Sequence, residues 1–143
     1  MNKLREVEAA KVLMIEAMNW SVMKWLREKK RVRAVADEAN DAIDRFNQEI
    51  KLKWPDVLRS EYQSLTIEAA LSSRSSGNNP MLRKVKEADA EVARARTDAE
   101  ETFDQAERQL STRLAREGCR KAILSWELHE KANAAAEAVI HSK

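Results

Sequence analysis

Six carboxylates fall into two sets with helical spacing. Asp37, Asp41 and Asp44 recur at i, i+4 and i+7, and Glu100, Asp104 and Glu107 repeat the pattern later in the chain. Residues so spaced share a helix face. Two such faces brought together could bridge a metal ion, as carboxylates do inside helical bundles. Sites of that kind add a histidine three residues after a glutamate, and neither His129 nor His141 follows a glutamate at that distance. Arg33, Arg45, Arg94 and Arg108 stand near enough in sequence to neutralise the acids. A solvated charged face is therefore the expected reading, with a carboxylate metal site as a remote alternative and no metal or cofactor expected.

A second constellation is the stretch KWLREKKRVR at 24–33, where Lys24, Arg27, Lys29, Lys30, Arg31 and Arg33 stand against a single acid, Glu28. These six are the candidate anion-binding residues, for nucleic acid or an anionic membrane surface. At 100° per residue they spread over most of a helix circumference and leave free only the arc of Trp25 and Val32. A helix that reads one groove concentrates its cations more, and no ring other than Trp25 interleaves with them for base stacking. The expectation is a solvated collar, with anion binding as the alternative.

The remaining chemistry-bearing residues suggest no catalysis. Cys119, the one cysteine, excludes an internal disulfide and a cysteine-built zinc site, and reads as a small apolar filler beside Gly118. It fits a reducing compartment, and the cytoplasm is expected. His129 has Glu127 and Glu130 as sequence neighbours, neither placed to orient it as a base, so a buried histidine satisfied by a neighbour is expected. With two glycines in the chain, the Gly-rich phosphate-binding fingerprints are excluded, and no small-molecule substrate is indicated. The apolar run at 12–18 follows a basic start but is interrupted by Glu16, and no small-residue cleavage site follows. No stretch approaches the length of a membrane span. An enzyme is not expected.

What must position these residues is helical. Of the 143 residues 35% are charged and 5% aromatic, with two glycines and two prolines, the composition of a solvent-rich helical chain. The 26 bases and 24 acids leave a formal charge of +2, so any attraction to an anionic partner must be local. Apolar periodicity predicts helices at about 2–53, 56–72, 80–117 and 119–141 in one all-α domain, 1–143, with a flexible loop at 72–80. Asn79 before Pro80 reads as an N-cap with proline in the first turn. Pro55 must interrupt the first helix. The segment after it either folds back as a third helix or continues with a kink; continuation is favoured, since only 72–80 has loop composition. That gives a long antiparallel hairpin with arms 2–71 and 80–141.

The faces of these helices are uneven. Between 12 and 26 apolar side chains occur almost all round, and Trp20 and Trp25 point about 140° apart at 100° per residue. One neighbouring helix cannot cover both. Beyond residue 27 the apolar strip narrows to a seam suited to a single, coiled-coil-like partner. A second copy of the chain is the expected cover, completing a four-helix bundle as a homodimer. The candidate self-association residues are Met14, Met18, Trp20, Val22, Met23, Trp25, Ile123 and Trp126. The functional expectation is an interaction or scaffold protein that works by helix-to-helix recognition of itself and of a protein partner.

Overall fold

A computed structural model of the chain describes residues 4–66 and 79–141. These residues form five helices: α1, Arg5–Ala17; α2, Val22–Leu52; α3, Asp56–Ser64; α4, Pro80–Gln109; and α5, Thr112–Ile140. No strand occurs among them. The expected loop at 72–80 lies outside the described residues up to position 78, and so does the end of the helix expected at 56–72.

Two of the predicted helices are each two helices. The helix expected over 2–53 breaks at 18–21. There Asn19 and Trp20 donate their backbone N–H groups to Glu16 and Ala17 in a closing turn. Ser21 then caps α2, its hydroxyl accepting from the Lys24 amide at 3.2 Å. A serine oxygen satisfies an otherwise orphaned amide of the first turn. The break explains the apolar girdle at 12–26: it is the sum of two one-sided helices, and each needs only one core. Trp20 and Trp25 are 7% and 2% exposed within a single chain.

The second break falls at Leu110 and Ser111, not at Gly118. Leu110 adopts the left-handed conformation, φ 50°, ψ 44°, and Ser111 donates its N–H back to the Ala106 carbonyl at 3.1 Å. That is the hydrogen bonding of a helix C-terminal turn which usually takes glycine. Ser111 also caps α5, accepting from Leu114 at 3.2 Å. Gly118 sits inside α5, buried against the Phe103 ring of α4; a Cβ there would stand 2.8 Å from Phe103 Cδ1. Glycine at this site serves close approach, so the boundary expected between 117 and 119 is replaced by a continuous helix.

Pro55 interrupts as expected, since α2 ends at Leu52. The chain then turns aside instead of continuing. Lys51 Nζ lies 3.1 Å from the Tyr62 hydroxyl, whereas eleven further residues of helix would carry Tyr62 about 16 Å along the axis. The favoured kinked hairpin is thus corrected to a folded-back α3. The Asn79 cap and Pro80 start are present, with Asn79 Oδ1 accepting from the Met81 amide at 2.9 Å.

Side-chain bonds set the register of the long helices. Arg96 to Asp44 and Lys51 to Asp89 run α2 antiparallel to α4. Trp126 donating to Asn40 and Asn47 donating to Asn133 run α2 parallel to α5, at one offset of 86 residues. α4 and α5 lie antiparallel across Gly118 and Phe103. Two apolar clusters result. One gathers Met14, Trp20, Trp25, Phe103, Cys119 and Trp126 where α1 packs on α2 and α5. The other gathers Ile50, Trp54, Leu65, Leu82, Val85 and Val139 at the opposite end, beside α3.

Candidate functional site

Three of the six spaced carboxylates, Asp44, Asp104 and Glu107, meet arginines across the α2–α4 contact. Arg33 Nη1 donates to Asp104 Oδ1 at 3.1 Å and to Glu107 Oε1 at 3.2 Å. Arg96 holds both oxygens of Asp44, at 3.0 and 3.1 Å, in the two-point geometry that guanidinium matches best. Each acidic run therefore faces a base on the other helix. Among the described residues no group of three His, Cys, Asp or Glu side chains could hold a metal ion. Asp41 and Glu100 stand exposed beside these pairs.

Midway along α2 and α4, between the two apolar clusters, lies a polar groove of about 570 Å³ with His129 of α5 on its wall. Lys51 bonds Asp89 at 2.7 Å at its edge, and Tyr62 donates its hydroxyl to the same carboxylate, tying α3 to α4. Burial, reinforced by the hydrogen bond to Asp89 and its charge, pushes the Tyr62 phenol well above its ordinary range. The ammonium groups of Lys51 and Lys86 each stand 4.3 Å from the Tyr62 ring centroid.

His129 is 5% exposed, and its Nε2 has no hydrogen-bond partner among the described residues. Burial first, then the Arg96 charge, lowers the imidazole to about 4, against the opposing pull of Asp89, Asp44 and Glu130. It is neutral at pH 7. A base so weak holds little driving force for proton transfer near neutrality, and no serine, threonine or cysteine lines the groove with it. The groove's strongest charges neutralise one another in pairs, and their evident work is to fix α2 against α4. Cys119 is buried, and burial alone pushes its thiol up to about 12, which keeps the nucleophilic thiolate scarce.

The expected self-association residues divide. Met14, Trp20, Trp25 and Trp126 are buried in a single chain, Met18 and Ile123 are partly buried, and Val22 and Met23 are 46% and 69% exposed. The cover assigned to a second copy is supplied by α1 and α5 of the same molecule.

The basic stretch divides as well. Lys24 and Arg31 lie over the Trp20 ring at 5.2 and 5.9 Å, Lys29 lies over Trp25 at 5.8 Å, and Arg33 is held by α4. Cationic side chains thus complete the roof over the indoles, their stems on the rings and their charges in water. Arg27 and Lys30 have no hydrogen-bond or ion-pair partner among the described residues and share an outward face with Met23, at i, i+4 and i+7.

The offset between α2 and α5 sets Arg113 level with Arg27 and Arg116 level with Lys30. With Arg120 these arginines follow helical spacing on the exposed side of α5, and none has a partner among the described residues. Arg108, near the end of α4, is exposed as well. Sequence reasoning expected Arg108 to neutralise the acidic runs, which it does not among the described residues, and missed Arg113, Arg116 and Arg120, although their i, i+3, i+7 spacing was visible. What could not be seen was that the turn at Leu110 brings them to the height of 24–33. No family model, curated protein or solved structure matches the chain.

Proposed function

We propose that the protein is a non-enzymatic interaction protein that docks on an anionic partner through the end of the molecule where α1 meets α2 and α4 meets α5. The observation that carries this reading is the concentration at that end of exposed cations with no ion-pair partner among the described residues, Arg27 and Lys30 on α2 and, at the same heights, Arg113 and Arg116 on α5. Elsewhere, along the α2–α4 contact, opposite charges are paired. An unpaired cluster creates a local field that a formal charge of +2 conceals. Replacing Arg27, Lys30 and Arg113 together by Gln should remove most retention on polyanionic supports at low salt, and wild-type retention should fall steeply as salt rises. Equal retention of wild type and triple variant would discard the reading.

A second reading, self-association as a coiled-coil-like homodimer in the cytoplasm, is supported by Val12 and Ile15. They are 58% and 54% exposed on the outer face of α1, near Met18 at the elbow. Sedimentation over a hundredfold concentration range should then show a dimer that Ile15→Lys dissociates. Trp20→Lys cannot serve as that test, because Trp20 lies inside one chain and a lysine there would act on folding.

A further inference from the structure

We infer that the anionic partner is a lipid surface, which the protein enters shallowly with Val22, Met23 and Leu110 while Lys24, Arg27 and Lys30 hold phosphate headgroups. The inference rests on the docking reading above and names its partner. Its starting point is Leu110. The turn between α4 and α5 needs a left-handed residue, for which glycine is the unstrained choice and a side chain is a cost. Packing does not recover that cost, because Leu110 is 56% exposed. A residue that costs the fold and leaves its apolar side chain in water points to a use outside the fold.

Leu110 is not isolated. The antiparallel register set by Asp44 with Arg96 and Lys51 with Asp89 places it near the height of Lys30, about two helical turns from Val22 and Met23. The two chain reversals thus share one end of the molecule and form a stepped apolar tip. A tilt of the long axis by roughly 45° brings Met23 and Leu110 to one plane, given a height step of about 11 Å between helices about 10 Å apart. Around this tip stand Lys24, Arg27, Lys30, Arg108 and Arg113, all exposed and none in an ion pair among the described residues. Protruding apolar side chains ringed by cations suit the boundary between headgroups and acyl chains of an anionic bilayer. Among the described residues no helix is long and apolar enough to cross a membrane, so the proposed contact is peripheral.

A nucleic acid fits less well. Its phosphates would satisfy the cations, but the tip offers no free ring for base stacking, because Trp20 and Trp25 are covered. Exposed leucine and methionine gain nothing from a sugar-phosphate backbone.

The test is co-sedimentation of the full chain with vesicles of phosphatidylcholine alone or with one-third phosphatidylserine, and in parallel its retention on single-stranded RNA. Binding to the anionic vesicles only, weakened by salt, is expected. Leu110→Gly should raise the melting temperature yet lower vesicle partitioning about tenfold, the loss of one buried large apolar side chain. Met23→Ser should lower partitioning similarly without a change in melting temperature. Vesicle binding untouched by both variants would overturn insertion. RNA retention without vesicle binding would overturn the lipid inference and leave the anion-docking reading standing. Binding to neither would overturn both.

Discussion

Helices α4 and α5 pack along one another, and two places in that hairpin, the turn that joins them and the crossing several residues further on, invert the usual assignment of residue to task. The turn wants glycine and holds Leu110; the crossing lies in mid-helix, where glycine is a poor choice, and holds Gly118. At the crossing the exchange is internal: the missing side chain lets the Phe103 ring press on the α5 backbone, so a local helix penalty is returned as packing. At the turn no such return exists within the molecule. One exception serves the core and the other serves the surface.

The strongest way to break this contrast is to empty the crossing. Phe103→Ala should cost about 3–5 kcal/mol in urea unfolding, since a buried ring leaves a cavity between two helices. A cost under about 1 kcal/mol would mean that the crossing is not tightly packed.

The polar groove adjoins the same pair of helices and should fail through protonation. With His129 lowered to about 4 in the folded chain and near 6.5 unfolded, the unfolded state binds the extra proton between those values. Stability contributed by the neutral imidazole is complete above pH 6.5 and is lost as pH falls towards 4, on the order of 3 kcal/mol in all. His129→Gln should flatten that part of the stability profile, and an unchanged slope would exclude this histidine as its source.

Gly118→Ala is finer. Its Cβ would stand 2.8 and 2.9 Å from two Phe103 ring carbons. Overpacking costs about 1–3 kcal/mol, of which better helix propensity returns up to about 1 kcal/mol, so a net loss near 1 kcal/mol is expected in thermal unfolding. Leu110→Gly should do the opposite and stabilise by about 1 kcal/mol, by releasing the left-handed strain. Opposite signs for two substitutions in one hairpin would sharpen the contrast; equal signs would remove it.

The sequence made helix type, the Pro55 interruption and the Asn79–Pro80 start legible, because each rests on local chemistry: periodicity, a missing amide proton, a cap. The break at 18–21 left its mark in the apolar side chains on every side of 12–26, while the Ser21 cap went unread. That girdle has two physical solutions, a second copy or a folded chain, and a wheel drawn through the break cannot tell them apart. The turn at Leu110 left no glycine or proline to mark it, and Gly118 drew attention to the wrong place. Its displacement mattered for the site, since the turn carries Arg113 and Arg116 to the heights of Arg27 and Lys30. Pairings such as Arg33 with Asp104 and Glu107 are set by register between helices distant in sequence, which periodicity alone does not supply.

All four tryptophans are buried, three in the cluster beside α1 and one, Trp54, in the cluster beside α3, where its indole N–H donates to the Ala136 carbonyl at 2.9 Å. Each extremity consequently carries its own intrinsic fluorophore. A chain with Trp54 as the sole emitter would report loosening of the α3 extremity, and Trp54→Phe would leave the other extremity as the only signal. Partial melting and whole-molecule denaturation can thus be told apart by colour, without an added label.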